Sequence, residues 1–225
     1  MGLAHLALRR EIVATARRMN AVIGNPGTSG NVSARAGRGF LVTPSGFPYD
    51  EMTPGDVVAM DFAGKATGRH APSTEWPFHA AILSARPEVG AVVHLHSPAA
   101  TALACLRLDL PAFHYMVAVA GGDSIRCAPY ATYGTDALAR HAVTALQGRT
   151  ACLLANHGQI AVGPTLSRAF AVAAEVEHLC GVYLRARAVG EPARLTPGEM
   201  AEALAKFATY GRRLPAPRTL RRPAR

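Results

Sequence analysis

Residues 151–162 read ACLLANHGQIAV. Two short apolar runs, Ala151–Leu154 and Gln159–Val162, flank Asn156–His157–Gly158. Runs of this length between turn formers suit strands rather than helices. Upstream, Ala91–Leu95 reads as a strand and Pro98–Cys105 as a helix. Downstream, Leu166–Val189 reads as a long helix and Pro197–Ala208 as a last one.

The rest of the chain fits around this segment. Leu6, Ile12, Val13, Ala16 and Met19 fall near helical spacing and predict an opening helix. Asn25–Asn31, rich in Gly, Pro and small polar residues, predicts a loop. Phe40–Thr43 and Val57–Asp61 predict short strands. Thr74–Arg86 predicts a helix capped by Ser73 or Thr74, with Pro77 early enough to be tolerated. Thr135–Gln147 predicts another. Strands and helices mix without strict βαβ alternation, which favours an α/β sandwich with a mainly antiparallel sheet over a doubly wound fold. No repeat or linker divides the body, so 1–211 reads as one domain and 212–225 as a basic, Pro-rich, disordered tail.

The totals exclude several classes. At 225 residues, 49% hydrophobic and 17% charged, the chain is globular rather than disordered. No apolar run reaches the roughly 18 residues of a membrane span, and the first ten residues hold no secretory h-region. A cytoplasmic protein without a membrane partner is expected. Cys105, Cys127, Cys152 and Cys180 form no CxxC pair, so buried free thiols are expected rather than a thiolate metal site or disulfides. Six of the nine excess positive charges sit in the tail, on Arg212, Arg213, Arg218, Arg221, Arg222 and Arg225. A nucleic-acid face on the body is therefore not expected.

The chemistry-bearing residues are few. His94 and His96 flank Leu95 in a strand, and residues i and i+2 share a face, so both imidazoles can reach one ion. Two surface histidines on one strand face would give the same pattern. His157 stands in the turn, and Gly158 after it permits close backbone approach or a positive φ. Glu75 opens a predicted helix, where an anion is also a simple cap. Three histidines and one displaceable carboxylate suit a catalytic zinc with room for substrate. Spacing alone does not identify the reaction.

Ordered motifs carry a resemblance. They run through Gly27–Ser33, Thr43–Gly46, Pro72–Trp76, Val93–His96 and His114–Met116, then Gly121–Ile125, Ala128–Thr132, Asn156–Gly158 and Lys206–Gly211. With these motifs the chain resembles the class II aldolase/adducin family, and within it the L-fuculose-phosphate aldolases. The resemblance implies a three-layer α/β sandwich with a central, mainly antiparallel sheet. It implies one zinc ion per subunit, held by Glu75, His94, His96 and His157. It implies that Thr28, Gly30, Asn31, Ser45, Gly46, Ser73 and Thr74 bind the phosphate of a sugar phosphate, and that Tyr133 and Phe207 line the aldehyde pocket. It implies a homotetramer with sites at subunit interfaces, so that Tyr115 and Tyr210 reach a neighbour's site and join Glu75 as catalytic groups. From the residues alone, Tyr115 is a core or strand residue.

The activity implied is zinc-dependent cleavage of a ketose 1-phosphate, L-fuculose 1-phosphate-like, to dihydroxyacetone phosphate and an aldehyde. Lys65 and Lys206, the only lysines, stand in no apolar strand, and this chemistry needs no Schiff base. Tyr133 and Thr74 depart from the Phe and Ser common at these points in L-fuculose-phosphate aldolases. An aldehyde from 5-deoxyribulose or methylthioribulose 1-phosphate is the alternative they raise. Epimerases of the superfamily carry Asp where Glu75 stands; dehydratases, decarboxylases and the non-catalytic adducin head are the other readings.

Overall fold

The computed structural model describes residues 4–207. It holds one eight-stranded sheet in the order β4-β3-β2-β1-β5-β8-β7-β6. The strands are β1 Asn31–Ala36, β2 Gly39–Val42, β3 Val58–Asp61, β4 Ala66–Thr67, β5 Ala91–Leu95, β6 Cys127–Ala128, β7 Ala151–Leu154 and β8 Gly158–Gly163. Every neighbouring pair is antiparallel except β6 with β7. The predicted mainly antiparallel sheet is therefore observed, and the 151–162 segment is its β7–β8 hairpin.

Alternation along the strands builds two cores. Val32, Ala34, Ala91, Val93, Leu95, Leu153 and Ala161 face one side. There they meet α1 (Leu6–Arg18), α3 (Pro98–Cys105), α5 (Leu166–Val189) and α6 (Pro197–Phe207). Val42, Val92, Cys152, Leu154, Ile160 and Val162 face the other side, under α2 (Trp76–Ala85) and α4 (Asp136–Ala145). Each fully buried Val, Leu or Ile contributes about 1.5–3 kcal/mol, so side-chain direction is strongly specified in every strand. The result is three layers, helices covering both faces of the sheet.

Several boundaries differ from expectation. The α2 helix starts at Trp76, not Thr74, with Glu75 in the capping position and the Ser73 hydroxyl accepting from the Glu75 amide at 3.3 Å. The β1 strand was not predicted; its residues are small or polar apart from Val32. Tyr115 is neither core nor strand. It opens a 3₁₀ turn over Tyr115–Ala120 and is 54% exposed. Among the thiols only Cys152 and Cys180 are buried; Cys105 is exposed and Cys127 half-buried. No helix among the described residues is long and apolar enough to cross a membrane. The 212–225 tail lies outside the described residues.

Candidate metal centre

The β5 strand pairs with β1 so that His94 stands opposite Asn31, and with β8 so that it stands opposite Ile160. Paired residues share a face, which sends His94 toward α2, where Phe78 meets its ring edge-on at 5.3 Å. His96 follows two residues later, just beyond the strand end. The start of α2 delivers Glu75 from above, and the β7–β8 turn delivers His157 from the side. In that turn the positive φ falls on Asn156, at 55°, rather than on the glycine. Gly158 serves the other purpose: a Cβ there would lie 2.2 Å from the Leu95 carbonyl oxygen.

The four side chains converge. One potential ligand atom from each of Glu75, His94, His96 and His157 lies within 4.8 Å of all the others. His94 Nε2 is 2.9 Å from His96 Nε2 and 3.1 Å from Glu75 Oε2, and His157 Nε2 is 3.3 Å from Glu75 Oε1. His94 Nδ1 is 2.9 Å from the Gln159 carbonyl oxygen, which can only accept. That bond places the His94 proton on Nδ1 and leaves Nε2 with a lone pair. A lone pair on His94, the facing His96 nitrogen and an ionised carboxylate at these separations repel unless a proton or cation lies among them. Glu75 Oε1 is also buried without a hydrogen-bond partner. A divalent ion fits this donor set, and imidazole with carboxylate is a common combination for zinc.

Electrostatics hold Glu75, His96 and His157 in the protonation states that metal ligation would require. Burial would raise the Glu75 carboxyl. The His94 and His157 imidazoles nearby, with the Asn31 amide that donates to Oε2, outweigh it and hold the group below the ordinary carboxylate range. Burial, reinforced by His94, lowers His96 to about 4 and His157 to about 3. Both imidazoles are neutral near pH 7, as metal ligation requires.

A cleft of about 360 Å³ opens over His96, His157 and Glu75. Thr28, Gly30, Asn31, Ser45, Gly46, Ser73 and Thr74 all line it, so the predicted phosphate set is brought together beside the predicted metal set. Three loops do this. The second and third are laced by Ser45 N–H to Ala71 O and Ser73 N–H to Thr43 O, each 3.0 Å. The first is held by the Tyr49 hydroxyl, which donates to Gly30 O at 2.7 Å. Gly30 has φ 74°, and a Cβ there would lie 2.5 Å from the His94 carbonyl oxygen. No other residue type fits this loop against the metal strand.

Other expected residues lie apart. Tyr133 lines the cleft, as does Tyr130, which sequence reading did not single out as a site residue. Tyr115 and Phe207 are absent from its described lining; their rings lie 6.5 Å apart. Tyr210 lies outside the described residues. Two supporting residues also went unread in the sequence. Asn25 Oδ1 accepts from the His96 amide at 2.8 Å while Asn25 Nδ2 donates to Ser29 O at 2.6 Å, tying the first loop to the metal strand. Gln159 anchors itself by donating from Nε2 to Ser97 Oγ at 2.8 Å. Only their long-range partners reveal these roles.

Comparison with known proteins agrees with this picture. Residues 10–184 match the family described as "Class II Aldolase and Adducin N-terminal domain". A Rhodospirillum rubrum protein named 5-methylthioribulose-1-phosphate/5-deoxyribulose-1-phosphate aldolase is 50% identical over 214 residues, spanning 94% of this chain and 97% of its own length. The Escherichia coli K12 protein named L-fuculose phosphate aldolase is 45% identical over 208 residues, 92% of this chain and 97% of the relative. A solved structure of an L-fuculose 1-phosphate aldolase superposes with TM-score 0.88 at 39% identity, covering 92% of this chain and 98% of that one. Sequence, fold and relatives thus converge: the chain belongs to the class II aldolase/adducin family, and it is an aldolase, a carbon–carbon lyase.

Proposed function

We propose that this aldolase is zinc-dependent and cleaves 5-deoxyribulose or 5-methylthioribulose 1-phosphate to dihydroxyacetone phosphate and a short aldehyde. The observation that carries the reaction is one cleft in which three histidines and a carboxylate meet a hydroxyl- and amide-lined wall. For the substrate, the L-fuculose 1-phosphate expected first gives way to the alternative. Identity is higher to the Rhodospirillum rubrum relative than to the Escherichia coli one. Tyr130, Ala131 and Tyr133 line the cleft, and this wall would suit the methyl or thioether end of the aldehyde half.

Glu75, His94, His96 and His157 would hold the zinc ion. When bound, that ion supplies Lewis-acid stabilisation of the negative charge left on the dihydroxyacetone phosphate oxygens as the carbon–carbon bond breaks. Thr28, Gly30, Asn31, Ser45, Gly46, Ser73 and Thr74 hold the phosphate through hydroxyls, an amide and backbone N–H groups. Glu75 carries the proton to and from the dihydroxyacetone phosphate carbon. Tyr115 exchanges a proton with the oxygen that becomes the aldehyde. It is exposed and outside its own chain's cleft, which supports its serving a neighbouring subunit in a homotetramer. Tyr210 joins it there, and Phe207 closes the aldehyde pocket.

The test is dihydroxyacetone phosphate release from a panel of ketose 1-phosphates. The aldehyde half of L-fuculose 1-phosphate carries a hydroxyl that the 5-deoxy and 5-methylthio halves lack. Apolar pockets discriminate such differences by about 10- to 200-fold. We expect kcat/KM for the 5-deoxy or 5-methylthio substrate to exceed that for L-fuculose 1-phosphate by at least about 10-fold. The reverse order would return the assignment to L-fuculose 1-phosphate.

A further inference from the structure

His79 has no task in the reaction above. It lies on α2 one turn after Glu75 and is fully buried. Its two ring nitrogens are both engaged. Ser33 Oγ lies 2.6 Å from Nδ1, and Asn31 Oδ1 lies 2.5 Å from Nε2. Asn31 in turn donates from Nδ2 to Glu75 Oε2 at 2.9 Å. Ser33 and Asn31 are buried too, on the same face of β1, so water takes no share of these bonds.

The direction of every bond follows from the last one. An ionised carboxylate only accepts, so the Asn31 amide must turn its NH₂ toward Glu75 and its oxygen toward His79. An amide oxygen also only accepts, so the His79 proton sits on Nε2. His79 Nδ1 is then an acceptor, and the Ser33 hydroxyl donates to it. Three donors point in sequence toward one carboxylate oxygen. Turned the other way, Asn31 would set its oxygen against the Glu75 carboxylate, and two acceptors facing each other at this depth are costly.

We propose that His79 is a positioning residue. Acting through Asn31, its Nε2–H fixes which oxygen of Glu75 is committed to a hydrogen bond and which is left facing His157. Glu75 Oε1, the oxygen left over, is buried without a hydrogen-bond partner. The inference rests on the reading of Glu75 as a metal ligand, and its test separates the two.

A Gln side chain places its amide near the position of His Nε2, and an Asn side chain near that of Nδ1. His79→Gln therefore keeps a donor to Asn31, and His79→Asn does not, although both are polar and both disturb packing. Zn²⁺ affinity of each metal-stripped protein is measured by competition with a chromophoric chelator, beside its Tm. His79→Gln should stay within about 3-fold of wild type. His79→Asn should bind about 10-fold or more weakly, the usual scale for losing such a supporting partner. Placed on Asn31→Ala, His79→Asn should add no further loss.

Equal affinities in the two variants, a loss that merely tracks Tm, or additive losses in the double variant would overturn the proposal. If neither variant folds, ¹⁵N NMR of the unmodified protein decides it. The Nε2–H tautomer at His79 is expected, and Nδ1–H would overturn the role. Wild-type protein that took up no metal would instead overturn the metal centre itself.

Discussion

Glu75 and Tyr115 are assigned different protons, and that division can be measured. Glu75→Gln keeps shape and an oxygen but cannot accept a proton at neutral pH. It should lose both cleavage and deuterium wash-in to dihydroxyacetone phosphate, by about 10²- to 10⁴-fold. Tyr115→Phe should lose cleavage on a similar scale while leaving wash-in largely intact, because that half-reaction contains no aldehyde. NMR wash-in run beside a cleavage assay distinguishes them; equal losses of both activities in Tyr115→Phe would refute the division. His79 gives a second residue-scale test. Burial lowers it to about 3, below the unfolded value of about 6.5. A lowered histidine contributes stability that is complete above the unfolded value and is lost as pH falls toward the folded one. Through that window the unfolded chain takes up the proton first, costing about 1.4 kcal/mol per pH unit. Denaturant melts of metal-stripped His79→Gln should show a pH slope shallower by about one proton; identical slopes would contradict the neutral, buried histidine. The His94–His96 pair was legible in the sequence because i and i+2 on a strand share a face. His79, Asn25 and Gln159 were not, because each acts on a partner far away in the chain.

Elements differ in how plainly they were written. The β7–β8 hairpin, α3 and α5 stood out because apolar runs and turn residues agree with the final burial. The β1 strand did not: its Asn31 and Ser33 face the polar relay to Glu75, and Ala34 packs the other core, so neither periodicity nor β propensity marked it. Function displaced the local signal there. Glu75 was expected at the start of a helix capped by Ser73 or Thr74; it holds the capping position itself, without a side-chain capping bond, and the Ser73 hydroxyl accepts from its amide. The same hairpin offers an element-scale prediction. Gly158→Ala would press a Cβ against the Leu95 carbonyl and push β8 from β5 beside His157. We expect a loss of about 1–3 kcal/mol in stability, as for other overpacked sites. Zn²⁺ affinity should fall with it. A variant with wild-type melting and affinity would show that the turn yields without moving His157.

At the scale of the whole molecule, the central question is whether subunits share a site. Tyr115 is exposed and removed from the cleft of its own chain, so a complete site is proposed to need a second copy. Mixing inactive Glu75→Gln and Tyr115→Phe subunits should then regain a substantial fraction of wild-type cleavage after reassembly, because some interfaces pair an intact Glu75 with an intact Tyr115. No recovery in verified mixed oligomers would place Tyr115 outside the shared site. Truncation after Arg213 should leave assembly and metal content unchanged, read by light scattering and elemental analysis; loss of assembly would make the tail structural. All of this rests on one claim, that Glu75, His94, His96 and His157 hold a zinc ion needed for aldol cleavage. The most direct test strips the protein with a chelator, confirms metal-free protein by elemental analysis, and follows dihydroxyacetone phosphate release during Zn²⁺ titration. The account predicts no cleavage in the stripped protein and recovery that saturates at one zinc per chain; undiminished cleavage by metal-free protein would contradict it.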